Sequence, residues 1–138
     1  GYPNLESELH LLGEYGDATR DEPVAVLNVD HVRALRQNCE DVFLHEDLAR
    51  YIIDLSRASR EDQGIKLGIS PRGSMHLATA CKAYALVKGR SQVLAEDIQK
   101  LIPPVWDHRV LPRHGRDSDS AHAHELLQDI VKKTPVPR

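Results

Sequence analysis

The sequence predicts an all-α fold: a small helical bundle with at most a minor two-stranded pairing. Three observations carry this reading. Several stretches repeat apolar residues at helical spacing and are joined by short polar or Pro/Gly-containing segments. Hydrophobic residues make up 41% of the chain but aromatic ones only 4%, so the core is aliphatic and favours helix packing over a sheet sandwich. Ser70-Pro71 is a strong helix start, ahead of the most apolar helical stretch in the chain. At 138 residues the chain suits one domain, residues 1–138, long enough to bury a core without disulfides or metal.

Taken in order, Asn4 can cap a helix carrying Leu5, Leu9 and Leu12, with Glu6 and Glu8 near its positive end. Residues 13–28 have no helical period and read as a loop, with a short extended piece over 24–27. Asn28 or Asp30 then caps a helix with Val32, Leu35, Arg36 and Cys39 at i, i+3, i+4 spacing, ending near Glu40. Val42-Phe43-Leu44 reads as one short strand, with Gln92-Val93-Leu94 as its partner. Leu48, Tyr51, Ile52 and Leu55 give the clearest amphipathic helix, about 46–59, with Asp47, Arg50, Asp54 and Arg57 outward. Residues 61–67 read as a loop.

Residues 75–87 are apolar on nearly every side, which predicts a central helix packed against several neighbours. Gly89 sits where a helix end wants a left-handed residue. A further helix spans about 95–106 with Ile98, Leu101, Ile102 and Val105 inward, and Pro103-Pro104 should kink or break it. Residues 111–120 are rich in Arg, Asp and His and read as a mobile connection. Ser120 or Asp119 caps a last helix with Leu126, Leu127, Ile130 and Val131 apolar, ending before Thr134-Pro135.

Arg72 falls in the first turn of the central helix, where a cation is mildly unfavourable against the helix dipole. From spacing alone two readings stand. It is an exposed arginine paired with a nearby acid, or it holds an anion together with the helix N-terminus, phosphate being the usual candidate.

Gly68-Ile69-Ser70-Pro71-Arg72-Gly73 closely resembles the Gly-Ala-Ser-Pro-Arg-Gly signature in the helical lid of MoxR-type AAA+ ATPases. The resemblance extends to the Gly-Tyr-Pro opening followed by Glu6-Ser7-Glu8, to Tyr51-Ile52 and Arg60, to residues 83–90, and to Val93, Glu96-Asp97-Ile98 and His108-Arg109. Two positions depart from it: Ala58-Ser59-Arg60 stands where the family has Ala-Thr-Arg, and Leu94-Ala95 replaces Thr-Pro, removing the usual capping hydroxyl. The resemblance implies an AAA+ lid-type bundle beginning at its junction with an ATPase base domain that lies outside this chain. It implies that Arg72 is the sensor 2 arginine, that Ser70, Pro71, Arg72 and Gly73 face the nucleotide, and that ATP and Mg2+ are bound in the full-length protein with Mg2+ held by the base. The implied partners are that base domain, further copies in a homo-oligomeric ring (a hexamer), and a von Willebrand factor A domain protein. The implied role is chaperone-like; two glutamates in the first ten residues and the lack of a membrane-length uncharged run fit a cytoplasmic protein.

The chain itself contains no G-x-x-x-x-G-K-[ST] phosphate loop, so hydrolysis is not expected of it alone. A net charge of −3 gives no general attraction to nucleic acid or anionic membrane, which weighs against a helix-turn-helix DNA binder. No uncharged run approaches the length of a membrane span. Cys39 and Cys81 read as reduced thiols, the latter a small core residue. Eight histidines suggest metal, but His122 and His124 are two apart on a helix and no Cys/His cluster exists; His108 and His114 read as surface residues and His76 as a helix-face residue, and no metal site is expected. Arg90 should reach the carbonyls of the preceding helix end or a base domain, and Glu96-Asp97 should stabilise a helix N-terminus. The rival reading of the whole is a free-standing helical protein-interaction module without nucleotide chemistry.

Overall fold

The computed structural model describes residues 3–14, 24–113 and 120–137. In chain order these form α1 (Leu5–Glu14), α2 (Val29–Asp41), α3 (Glu46–Glu61), β1 (Ile65–Leu67), α4 (Pro71–Val87), α5 (Ala95–Trp106), a 3-10 turn (Asp107–Arg109), β2 (Leu111–Pro112) and α6 (Ser120–Lys133). The all-α expectation holds, the sheet being two strands only. Most of the loop expected over 13–28, part of the connection expected over 111–120, the Asp119 cap and His114 lie outside the described residues.

Local chemistry sets most helix starts. Asn4 Oδ1 accepts the Ser7 N–H at 2.9 Å, and Asn28 Oδ1 accepts the His31 N–H at 2.8 Å. Each satisfies a donor that the first turn leaves without a helical acceptor. The helix α4 ends as Gly89 predicts: its φ is +70°, the Gly89 N–H donates to Leu86 O and the Arg90 N–H to Ala85 O, both at 2.9 Å. This paired closure uses carbonyls that the last turn would otherwise expose.

The core is aliphatic and lies between α3, α4, α5 and α6, with Leu55, Leu77, Ile98, Ile102 and Leu127 among its buried side chains and Trp106 as its largest member. The helix α4 is central, packing on α2, α3 and α5. It is not buried all round: Gly73, Leu77, Cys81 and Ala85, four apart, form its one buried stripe, while Met75 and Val87 are 69% and 82% exposed. Cys81 is the core residue expected of it, and burial, then the charge of Asp97, push its thiol up to about 12.

Three expectations change. The pairing of 42–44 with 92–94 shrinks to one parallel bridge, Phe43 with Gln92, made by Phe43 N–H to Ser91 O at 2.8 Å and Val93 N–H to Phe43 O at 3.0 Å. The two-stranded sheet is antiparallel β1–β2, in segments read as loops. Tertiary geometry explains it: α4 and α5 run antiparallel, so the residues entering α4 and those leaving α5 meet at one end of the bundle, where Ile65 and Val110 are buried. Pro103 and Pro104 do not break α5, which continues to Trp106 before tightening into the 3-10 turn. Buried Ile98, Ile102 and Trp106 hold one face of that helix in the core, and Pro104 sits on its exposed side. The extended piece expected over 24–27 is not a strand.

Candidate functional site

The segment from Gly68 to Gly73 joins β1 to α4, and most of its residues are accounted for by packing. Gly68 passes so close to the end of α3 that a Cβ there would lie 2.5 Å from Ser59 O and 2.7 Å from Arg60 N. Ile69 is fully buried; its N–H donates to Ser59 Oγ at 2.9 Å, and its carbonyl accepts from Arg60 Nη1 at 2.7 Å. Ser59 Oγ in turn donates to Ser56 O at 2.7 Å. Ser70 is the N-cap, its Oγ accepting the Gly73 N–H at 3.2 Å, and Pro71 takes the first helical position. Gly73 is buried, a Cβ there would meet Ile69 Cγ2 at 2.8 Å, and its carbonyl accepts from Trp106 Nε1 at 3.0 Å.

Arg72 is the exception. Its side chain is exposed, and among the described residues it makes no hydrogen bond or ion pair, so the acid partner that would make it an ordinary surface arginine is missing. The first turn of α4 leaves little else unsatisfied. Pro71 has no N–H, Gly73 N–H goes to Ser70 Oγ, and Ser74 N–H to Ser70 O at 3.2 Å. Left over at this helix end among the described residues are the backbone N–H and guanidinium of Arg72, with the hydroxyl hydrogen of exposed Ser70 beside them. That arrangement suits an anion and repels a cation. Of the four residues expected to face a nucleotide, Arg72 presents a charged donor and Ser70 a hydroxyl hydrogen, while the Gly73 N–H is committed to Ser70 Oγ and Pro71 has no N–H.

Arg90 does not turn back onto the end of α4. Its guanidinium forms a two-pronged pair with Asp97, Nη1 to Oδ2 at 2.8 Å and Nη2 to Oδ1 at 2.7 Å, and Nη1 also reaches Gln92 O at 3.1 Å. Asp97 Oδ2 accepts the Leu94 N–H at 2.9 Å, the reciprocal half of a capping box, while the Asp97 N–H goes to Leu94 O at 3.1 Å because Leu94 has no hydroxyl to accept it. Burial raises the Asp97 carboxyl, but Arg90, the Leu94 N–H and Lys100 outweigh it and hold the group below the usual carboxylate range. Elsewhere, His124 Nδ1 lies 2.9 Å from Asp107 Oδ2, tying α6 to the 3-10 turn, while His76 and His108 are exposed. No helix among the described residues is long and apolar enough to cross a membrane. Sequence reasoning missed Arg60 and Trp106 as partners of the Arg72 turn; a lone arginine closing a helix and a tryptophan after two prolines give no local signal of what they touch.

The family model described as the AAA lid domain matches residues 57–130, and the chain belongs to that family. It is 28% identical over 138 residues to the YeaC protein of Bacillus subtilis, named as uncharacterised, covering 99% of this chain and 43% of that one. It is 24% identical over 147 residues to Chaperone MoxR1 of Mycobacterium tuberculosis (100% and 39%), and 36% identical over 104 residues to Protein MoxR of Paracoccus denitrificans (65% and 31%). The MoxR-type resemblance carried by residues 68–73 is thus shared along the chain. A crystal structure of a protein from Cytophaga hutchinsonii, named as an inferred ATPase, superposes on all of this chain and 45% of its own with a TM-score of 0.73, at 21% identity, and so shows the same fold. The chain spans less than half the length of each of these relatives.

Proposed function

We propose that residues 1–138 are the lid of a MoxR-type AAA+ ATPase, closing over ATP held with Mg2+ by a base domain outside this chain, and that Arg72 is its sensor 2 arginine. The observation that carries the reading is that Arg72, exposed in the first turn of α4, makes no hydrogen bond or ion pair among the described residues. The phosphates of ATP fit those donors; Mg2+ does not, and belongs with acids on the base. Closing of the lid brings a preorganised planar cation to the phosphates, where it stabilises charge that grows as the terminal phosphoryl group leaves. Movement of the lid against the base then converts hydrolysis into work on a client. The same reading makes the full-length protein a cytoplasmic, chaperone-like homo-oligomeric ring, a hexamer, with a von Willebrand factor A domain protein as partner. The name of Chaperone MoxR1 supports the chaperone part of it.

The test is steady-state ATP hydrolysis beside thermal melting of the full-length protein. Arg72→Ala is expected to change stability by no more than ~0.5 kcal/mol, the scale of exposed substitutions. It should lose about a hundredfold or more in turnover, the loss seen when a preorganised donor to developing charge is removed. Arg72→Lys keeps charge without the planar fork and should recover only part of the rate. Wild-type turnover in Arg72→Ala would refute the sensor role.

A further inference from the structure

The carbonyls on either side of Arg72 each receive a side-chain donor from a different helix. Arg60, in the last turn of α3, donates Nη1 to Ile69 O at 2.7 Å; Trp106, the last residue of α5, donates Nε1 to Gly73 O at 3.0 Å. Neither bond is something α4 requires. Ile69 precedes the N-cap, so the helix supplies no donor to its carbonyl, and the Gly73 carbonyl already points along the helix toward the amide four residues on. Both bonds instead fasten the turn to the bundle. The attachment is reinforced on the α3 side, where Ser59 Oγ takes the Ile69 N–H and the Gly68 backbone lies flat against Ser59 and Arg60. On the α5 side the indole is fully buried and has no latitude to shift.

We propose that Arg60 and Trp106 are positioning residues for Arg72, a two-point clamp that makes the first turn of α4 move as one body with α3 and α5. The inference rests on the reading of Arg72 as a phosphate-facing residue. A long side chain on a loosely held turn would follow the phosphates wherever the lid stood. On a clamped turn it reaches them only when the whole bundle has closed, so lid position and catalytic competence become one variable. Misplacement of a positioned group by about 1 Å can cost up to a hundredfold in rate, so loosening one of two anchors should be felt in kcat.

The experiment uses the full-length protein and compares ATP hydrolysis and melting for Arg60→Ala, Arg60→Lys and Trp106→Phe, alone and combined with Arg72→Ala. Arg60 is exposed, so its removal tests the clamp with little risk to folding. Arg60→Ala should lower kcat about tenfold while leaving KM within about twofold. Arg60→Lys, which keeps a donor on a stem of similar length, should recover most of the loss. In the Arg72→Ala background Arg60→Ala should cost less than about twofold, because it acts through the residue already removed. Trp106→Phe keeps an aromatic ring but not the N–H, and should show the same pattern; if it fails to fold, the Arg60 arms decide. Full kcat in Arg60→Ala, or equal losses with and without Arg72, would overturn the clamp. Wild-type turnover in Arg72→Ala is a different failure, one that removes the phosphate reading itself and the clamp with it.

Discussion

Between Gly68 and Gly73 the two glycines carry as much structure as the serine and proline they flank, and for a different reason. A Cβ on Gly68 would meet backbone atoms of Ser59 and Arg60 at 2.5 and 2.7 Å, and backbone cannot rotate aside as a side-chain tip can. Gly68→Ala should therefore push the strand off the end of α3 and cost about 1 to 3 kcal/mol, the range for overpacking a well-filled site. Gly13→Ala, with nothing within 4 Å of the added carbon, is the control and should not destabilise. Denaturant melts of the two variants check this, and a Gly68→Ala midpoint equal to wild type would show that the close approach is not felt. Ser70 and Pro71 were legible in the sequence because capping is a local event settled by neighbours three residues away. The roles of Gly68, Gly73, Arg60 and Trp106 were not, since each depends on an element 9 to 33 residues distant. Arg72, the residue proposed to face the phosphates, stood out in the sequence as an arginine where the helix dipole disfavours one, with an ordinary ion pair as the other reading.

At the scale of elements, α5 shows a helix start held without an N-cap side chain. Leu94 offers no side-chain acceptor, and Asp97 reaches back to its N–H while Arg90 grips the same carboxylate with two hydrogen bonds. Asp97→Ala should cost about 1 kcal/mol for the hydrogen bond to the Leu94 N–H alone. The charge of the group is separable from its shape by Asp97→Asn. Since Asp97 is held below the ordinary carboxylate range when folded, its charged form stabilises the fold above the unfolded value of about 3.9, and this contribution is lost as pH falls through the lower folded value. The gap in melting temperature between wild type and Asp97→Asn should be full near neutrality and close below about pH 4. A gap that stays constant into acid would mean that the Arg90 contact is not electrostatic. Helix identities and most boundaries were readable from period and caps, because those signals lie within the element. The sheet was not: β1 and β2 are too short to show alternation, and they exist because the antiparallel α4–α5 pair brings Gly64, Ile65, Leu111 and Arg113 together, as in the 2.7 Å bond from the Arg113 N–H to Gly64 O. The prolines misled for a related reason, since the helix-breaking cost at Pro103 and Pro104 is set against the burial of Ile102 and Trp106, which no local rule contains.

Across the whole molecule, burial is unevenly distributed along the chain. Every buried residue among the described ones lies at Val42 or later, and α2 contributes none although it is amphipathic. In α1, Leu5, Leu9 and Leu12 share a helical face and are all exposed. The helix α2 does lie on α4, with Lys82 Nζ donating to Glu40 O at 2.8 Å, but its Val29, Val32 and Leu35 remain 65%, 40% and 50% exposed. Periodicity thus reported these helices correctly and could not report that their apolar faces are left exposed or half-exposed among the described residues. Stability should follow burial rather than helix content. A chain of residues 42–138, which retains the whole described core and all of the 57–130 family match, should fold on its own and unfold cooperatively. Its melting temperature should fall by no more than about 8 °C relative to residues 1–138, the shift that ~1 kcal/mol produces in a domain of this size. Helical circular dichroism with a single cooperative melt is the expected result. A melt that loses cooperativity on removal of residues 1–41 would show instead that α1 and α2 complete the core, and that their contact with α4 stabilises the bundle by more than their exposure suggests.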